Sequence, residues 1–208
     1  MYQFYMISHY GGKNWSRTLV QSSSRGSAGV NRALSTLGYS EDFQDTFYKW
    51  KVATRINDDY AGDGDEFSYP KKSYPYGSLN SKIMNSFNGI PIEKTISVRA
   101  WGQKAFRFNA ETRTDIVHRL KLSVSSGTPN VAFYPETSPP RKVEYIPFNG
   151  NSAVFDFEGW GSDYTSFQLI FSSSSIADFS VDLDIFDTIP PVTTIGVSPV
   201  LPNGENGW

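Results

Sequence analysis

The sequence predicts an α+β chain: an N-terminal cluster of short α-helices followed by an antiparallel β-sandwich, jelly-roll-like or Ig-like. Three observations carry that expectation. Apolar residues recur at the helical interval as far as Ile56, then alternate with polar residues from Ile92 onward. Gly, Pro, Ser and Asn punctuate the second half at short intervals, as turns between strands do. Aromatic residues make up 15% of the chain, which suits a packed core, and no cysteine is present to staple one.

The helices come first. Tyr2 to Tyr10 is aromatic-rich and stops at Gly11-Gly12. Asn14 is placed to cap a second helix in which Trp15, Leu19 and Val20 share a face. Ser27 is placed to cap a third, with Val30, Ala33, Leu34 and Leu37 in helical phase and Gly38 as its end. The fourth is the organising element. Ser40 reads as its N-cap, and Glu41 and Asp42 put negative charge at the positive end of the dipole. Phe43, Phe47, Trp50 and Thr54 then fall on one face, widened by Val52, Ala53 and Ile56. A stripe this aromatic needs neighbours to bury it, and a unit of this size is marginal alone.

Residues 1–61 are therefore expected to form a helical subdomain and 62–89 a connector rich in Asp, Tyr, Pro, Ser and Asn. In 90–187 the two-residue period recurs eight times. It runs through Ile96 and Val98, Phe106 and Phe108, Leu120 and Leu122, and Val131 and Phe133. It continues through Val143 and Tyr145, Phe155 and Phe157, Phe167 to Phe171, and Phe179 to Ile185. Such strands build a sandwich with one apolar and one wet face per sheet. Residues 188–208 open on consecutive prolines and read as a stiff linker into a further module. Both ends read as cut, so the chain is expected to be a piece of a longer protein.

Several chemistries lack the residues they need. Basic and acidic residues number 19 and 21, and no basic run interleaves with aromatics, so no electrostatic footprint for nucleic acid exists. No apolar run reaches the length of a membrane span. A serine-hydrolase Gly-x-Ser-x-Gly, a phosphate-binding loop and a His-Glu-x-x-His are all absent from the sequence. The two histidines, His9 and His118, read as structural: His9 in the last turn of a helix, His118 at a sheet margin in phase with Leu120 and Leu122. No catalytic residue is assigned.

Two features point to binding. Asp58, Asp59, Asp63 and Asp65, with Glu66, share a short loop punctuated by Gly62 and Gly64. Hard oxygen ligands on a flexible loop are what calcium requires, although the spacing is not that of an EF-hand and a solvated acidic turn is the commoner outcome. Trp160 and Tyr164, in Gly-Trp-Gly-Ser-Asp-Tyr, and Trp101, in Ala-Trp-Gly, lie on predicted loops. Exposed rings there would stack on sugar faces; rings folded back to plug the end of the sandwich are the commoner outcome.

His9-Tyr-Gly-Gly12, Gly29-Val-Asn-Arg-Ala-Leu34 and Phe43-Gln-Asp-Thr-Phe-Tyr-Lys-Trp50-Lys-Val-Ala53 together resemble the end of the catalytic domain of secreted bacterial gluzincin-like zinc metallopeptidases. Residues 188–208 resemble the start of the Ig-like modules repeated on bacterial surface proteins. The resemblance implies an extracellular or cell-surface location and a non-catalytic C-terminal portion with a scaffold and substrate-presenting role. Its partners would be a preceding catalytic domain, where any zinc would reside, and a protein or glycan substrate. The zinc-binding helix such enzymes need has no counterpart in this sequence, so no ligand or catalytic role transfers to any residue here. The alternative reading is a carbohydrate- or surface-binding β-sandwich module without an enzymatic parent.

Overall fold

The computed structural model describes residues 2–56, 67, 85–88, 91–109, 117–137 and 142–186. Among these residues are four α-helices: α1 Tyr2–His9, α2 Lys13–Gln21, α3 Gly26–Thr36 and α4 Phe43–Ile56. Nine strands follow among the described residues: β1 Asn85–Asn88, β2 Ile92–Val98, β3 Gly102–Asn109, β4 Val117–Val124, β5 Pro129–Glu136, β6 Glu144–Tyr145, β7 Ser152–Phe157, β8 Ser166–Ser173 and β9 Ala177–Phe186. The predicted α+β architecture, helices then sandwich, is what forms.

The strand orders are β1-β3-β8-β5-β6 and β2-β9-β4-β7. Set β1 aside and the chain alternates between sheets at every step but β5 to β6, so that each sheet interleaves early and late strands, the jelly-roll arrangement rather than the Ig one. β1 lies inside the stretch expected to be a connector and adds to the edge of β3 in parallel register, Phe87 opposite Phe108. The faces turned toward each other bury one aromatic and aliphatic core. Phe108 stacks on Phe167 at 4.7 Å, Phe133 meets Phe157 at 5.0 Å, and Phe171 meets Phe179 at 5.1 Å.

The outer faces of the two sheets differ. On the four-stranded sheet, Arg119 pairs bidentately with Asp156, and Lys121 with Asp182, in the cross-strand pattern of a wet surface. On the five-stranded sheet much of the outer face is covered as well, and β8, central in the sheet, is buried at every position. The cover is α4. Its Val52 joins Ala105, Ala132, Tyr134, Val143 and Ile170 in a second core, while Ala53, with Phe43 and Trp50 at the edge, packs on the other helices. The aromatic stripe read from the sequence is thus one of two buried faces, and the aliphatic one holds the sheet.

The helix ends correct three expectations about caps. α4 begins at Phe43, and the cap is Asp42, whose Oδ1 accepts the Asp45 N–H at 3.0 Å while Asp45 Oδ2 accepts the Asp42 N–H at 3.0 Å. Asn31 of α3 accepts the Phe43 N–H at 2.7 Å. These bonds satisfy donors that Ser40, further from the first turn, is not positioned to reach. α2 and α3 start without side-chain caps, at Gly12 and Arg25 rather than at Asn14 and Ser27.

Candidate functional site

Strand register shows what lies beneath α4. Across β3, β8 and β5, the covered face reads as four rows: Gln103, Ser172 and Asn130; Ala105, Ile170 and Ala132; Arg107, Gln168 and Tyr134; then Asn109, Ser166 and Glu136. The helix runs down these rows. Tyr48 donates its hydroxyl to the Thr128 carbonyl at 2.9 Å, and Gln103 donates its amide to the Lys51 carbonyl at 2.9 Å. Val52 sits over the small second row, where two alanines leave room for a close approach. Arg55 reaches the third row, and the helix stops at Ile56. The sheet continues past it.

Among the described residues, the part of that face beyond α4 is a polar shelf. Arg55 Nε donates to Gln168 Oε1 at 2.7 Å, and the Gln168 amide donates in turn to Glu136. Arg107 donates to Glu136 Oε2 through Nε at 2.6 Å and also through Nη2. Ser166 donates to the same oxygen at 2.5 Å. An ionised carboxylate only accepts, so these donors occupy both Glu136 oxygens and hold them still. Burial pushes the Arg55 guanidinium below its ordinary range; Glu136 opposes that shift and Arg107 adds to it. Four side chains from β3, β5 and β8 therefore lock one another, with α4 keyed in through Arg55.

An open cleft of about 590 Å³ lies above the shelf. Arg107, Gln168, Tyr134 and Glu136 on the sheet face form its floor, and Ile56, Thr137, Ser162, Asp163, Tyr164 and Thr165 line the rest. The side chain of Arg107 is 38% exposed, and its Nε and Nη2 edge grips Glu136. Chemically this is a fixed, mixed donor and acceptor surface. Glu136 is engaged by its neighbours and serves as an acceptor that organises them.

The residues singled out from the sequence fall elsewhere. Trp160 is 1% exposed and Tyr164 4%, so neither presents a stacking face and the exposed-ring expectation is corrected. Gly159 and Gly161, at φ 81° and 96°, allow a tight turn closed by Asp163 N–H to Gly159 C=O at 2.8 Å. That turn folds the Trp160 ring inward onto Phe167 at 4.9 Å and His118 at 4.9 Å. Trp101, at the β2–β3 turn, is 40% exposed, yet its ring lies 5.2 Å from Phe43 and 5.1 Å from Phe47 and clamps the start of α4. His118 is corrected too: it is fully buried in the sandwich core, stacked on Phe157, not at a margin. His9 packs on Tyr5 in the helical layer. The two imidazoles belong to different cores, which does not fit a shared zinc site. Asp58, Asp59, Asp63 and Asp65, the expected calcium ligands, lie outside the described residues. Among the described residues no group of three or more His, Asp or Glu is placed to hold a metal ion, and no helix is long and apolar enough to cross a membrane.

The shelf escaped the sequence reading because Arg107, Gln168 and Glu136 occupy the polar positions of alternating strands, where a solvated face is the ordinary outcome. The available signal was in α4: Val52, Arg55 and Ile56 form a second face, which requires a second partner.

No family model matches the chain, and no curated protein matches it. Among solved structures it is similar to the pre-peptidase C-terminal domain of a collagenase from Bacillus anthracis, at 10% identity and TM-score 0.39, over 48% of this chain and 93% of that one. It is also similar to a mitogen from Yersinia pseudotuberculosis, at 15% identity and TM-score 0.35, over 50% and 93%. A third is a mutant of a periplasmic inhibitor of g-type lysozyme from Escherichia coli, at 7% identity and TM-score 0.30, over 49% and 98%. At such scores the chain's function rests on its own geometry.

Proposed function

We propose that this chain is a non-catalytic, extracellular accessory module that holds a polar ligand on the shelf beyond α4, within a larger secreted protein of the metallopeptidase-like kind its sequence resembles. The observation that carries this reading is the locking of Arg107, Glu136, Ser166 and Gln168 before any ligand arrives. Side chains already fixed lose little freedom on binding, so more of each contact appears as affinity. The helical layer serves as scaffold: α4 keys into the sheet at Arg55 and carries the other helices with it.

The test is a pair of assays on the purified 208-residue chain. Titration calorimetry against gelatin, casein and a panel of soluble oligosaccharides is expected to find a ligand. Incubation with casein and gelatin, with and without added zinc, is expected to show no hydrolysis, because metal-assisted cleavage needs ligands, base and water in one pocket. Reproducible cleavage abolished by chelator and by His9→Ala contradicts the non-catalytic reading.

A further inference from the structure

The geometry points to a neutral oligosaccharide as the occupant of the cleft above the shelf; this rests on the binding-module reading and names its ligand class. Charge comes first. Among the described residues the lining carries one cation, Arg107, paired with Glu136, and a second carboxylate, Asp163, while Arg55 is buried against Gln168. An anionic ligand meets no excess of positive charge there, and a neutral one gives up none of the solvation an ion would lose.

Hydrogen-bonding capacity comes second. Thr165 and Thr137 carry hydroxyls that both donate and accept, Ser162 accepts while donating to Asp163 Oδ1 at 3.2 Å, and the outer edge of the Arg107 fork donates. A run of adjacent sugar hydroxyls matches such a ring, because each hydroxyl offers one donor and two acceptor sites. A planar guanidinium held at one edge by Glu136 can address two neighbouring hydroxyls from the other.

The walls also argue against a peptide. Peptide-recognition grooves use pockets for apolar side chains or an open sheet edge. Here Tyr134 and Tyr164 are buried, Ile56 is half-buried against the sheet, and the floor is the side-chain face of β3, β8 and β5 rather than a strand edge. A cavity of about 590 Å³ has room for a short oligosaccharide.

The experiment titrates the whole chain with neutral hexaoses (gluco-, manno- and xylo-configured), with uronate-containing and sulfated fragments, and with gelatin. It repeats each titration on Thr165→Val, Arg107→Lys and, on the opposite sheet, Lys94→Ala. Thr165→Val removes one wall hydroxyl without touching the floor network, so it tests the site even where Arg107→Lys loosens the fold. Expected is binding of at least one neutral hexaose, about tenfold weaker in Arg107→Lys, severalfold weaker in Thr165→Val and unchanged in Lys94→Ala. Neutral-sugar binding indifferent to Thr165 and Arg107 overturns the assignment of the site. Binding of acidic fragments alone overturns the ligand class. Gelatin binding without saccharide binding overturns this inference and leaves the module reading standing, whereas no binding of any probe removes both.

Discussion

Arg55 in the last turn of α4 donates its Nε–H to Gln168 in the middle of β8 at 2.7 Å, across 113 positions of sequence. That bond joins the helical layer to the sandwich and sets the depth at which the helix ends. Removing its acceptor leaves Arg55 buried with a lost partner and deprives Glu136 of one donor. Gln168→Leu is therefore expected to cost about 1–3 kcal/mol of stability, read from urea unfolding. A change within about 0.5 kcal/mol would mean that the bond contributes nothing to docking the helix.

Trp101 holds a left-handed backbone, φ 56°, that non-glycine residues adopt at a cost, and its ring repays it against Phe43 and Phe47. Truncation to alanine removes the ring and keeps the strain; truncation to glycine removes both. Trp101→Ala is expected to be less stable than Trp101→Gly by about 1 kcal/mol, with both below the parent. Equal melting points for the two variants would show that the turn relaxes when the ring is lost.

The reciprocal Asp42–Asp45 bonds cap α4, so Asp42→Ala is expected to cost about 1 kcal/mol. Ser40→Ala is expected to change stability by less than about 0.5 kcal/mol. Denaturant midpoints in the reverse order would restore Ser40 as the cap.

Two tyrosines set an alkaline limit. Burial raises the Tyr2 hydroxyl well above its ordinary pKa of 10.0, with the bond to Thr46 opposing, and burial raises Tyr48 as well. A tyrosine whose folded pKa is raised contributes stability that is fully present below its unfolded value. That contribution is lost as pH climbs from there through the folded value. Lys51, lowered by burial, acts in the opposite sense and regains stability as pH rises through its folded pKa. Unfolding free energy is expected to fall above about pH 10, and Tyr2→Phe to flatten the fall. An unchanged slope in that variant contradicts this.

Much of the architecture was legible because it follows from period. Alternation at Leu120, Leu122 and Val124, or at Phe179, Val181 and Leu183, names one buried face, and those residues form the sandwich core. Period alone does not say whether the other face is wet. At Arg119 and Lys121 it is, and at Arg107 and Gln168 it is covered or shelved by a helix distant in sequence. Loop aromatics posed the same difficulty. Trp160 and Trp101 each precede a glycine, but one turn folds its ring into the core and the other lays it on α4. The strand Asn85–Asn88 was hidden because only four residues pair, beside prolines and serines that read as connector.

Whether the shelf beyond α4 receives the ligand can be read from ¹⁵N–¹H correlation spectra of the chain recorded while adding the tightest-binding oligosaccharide of the panel. The backbone amides of Arg107, Glu136, Ser162, Thr165 and Gln168 are expected to shift together along one saturable curve. Shifts confined to the outer face of the four-stranded sheet, around Lys94, Lys121 and Asp182, with the shelf silent, would contradict that expectation.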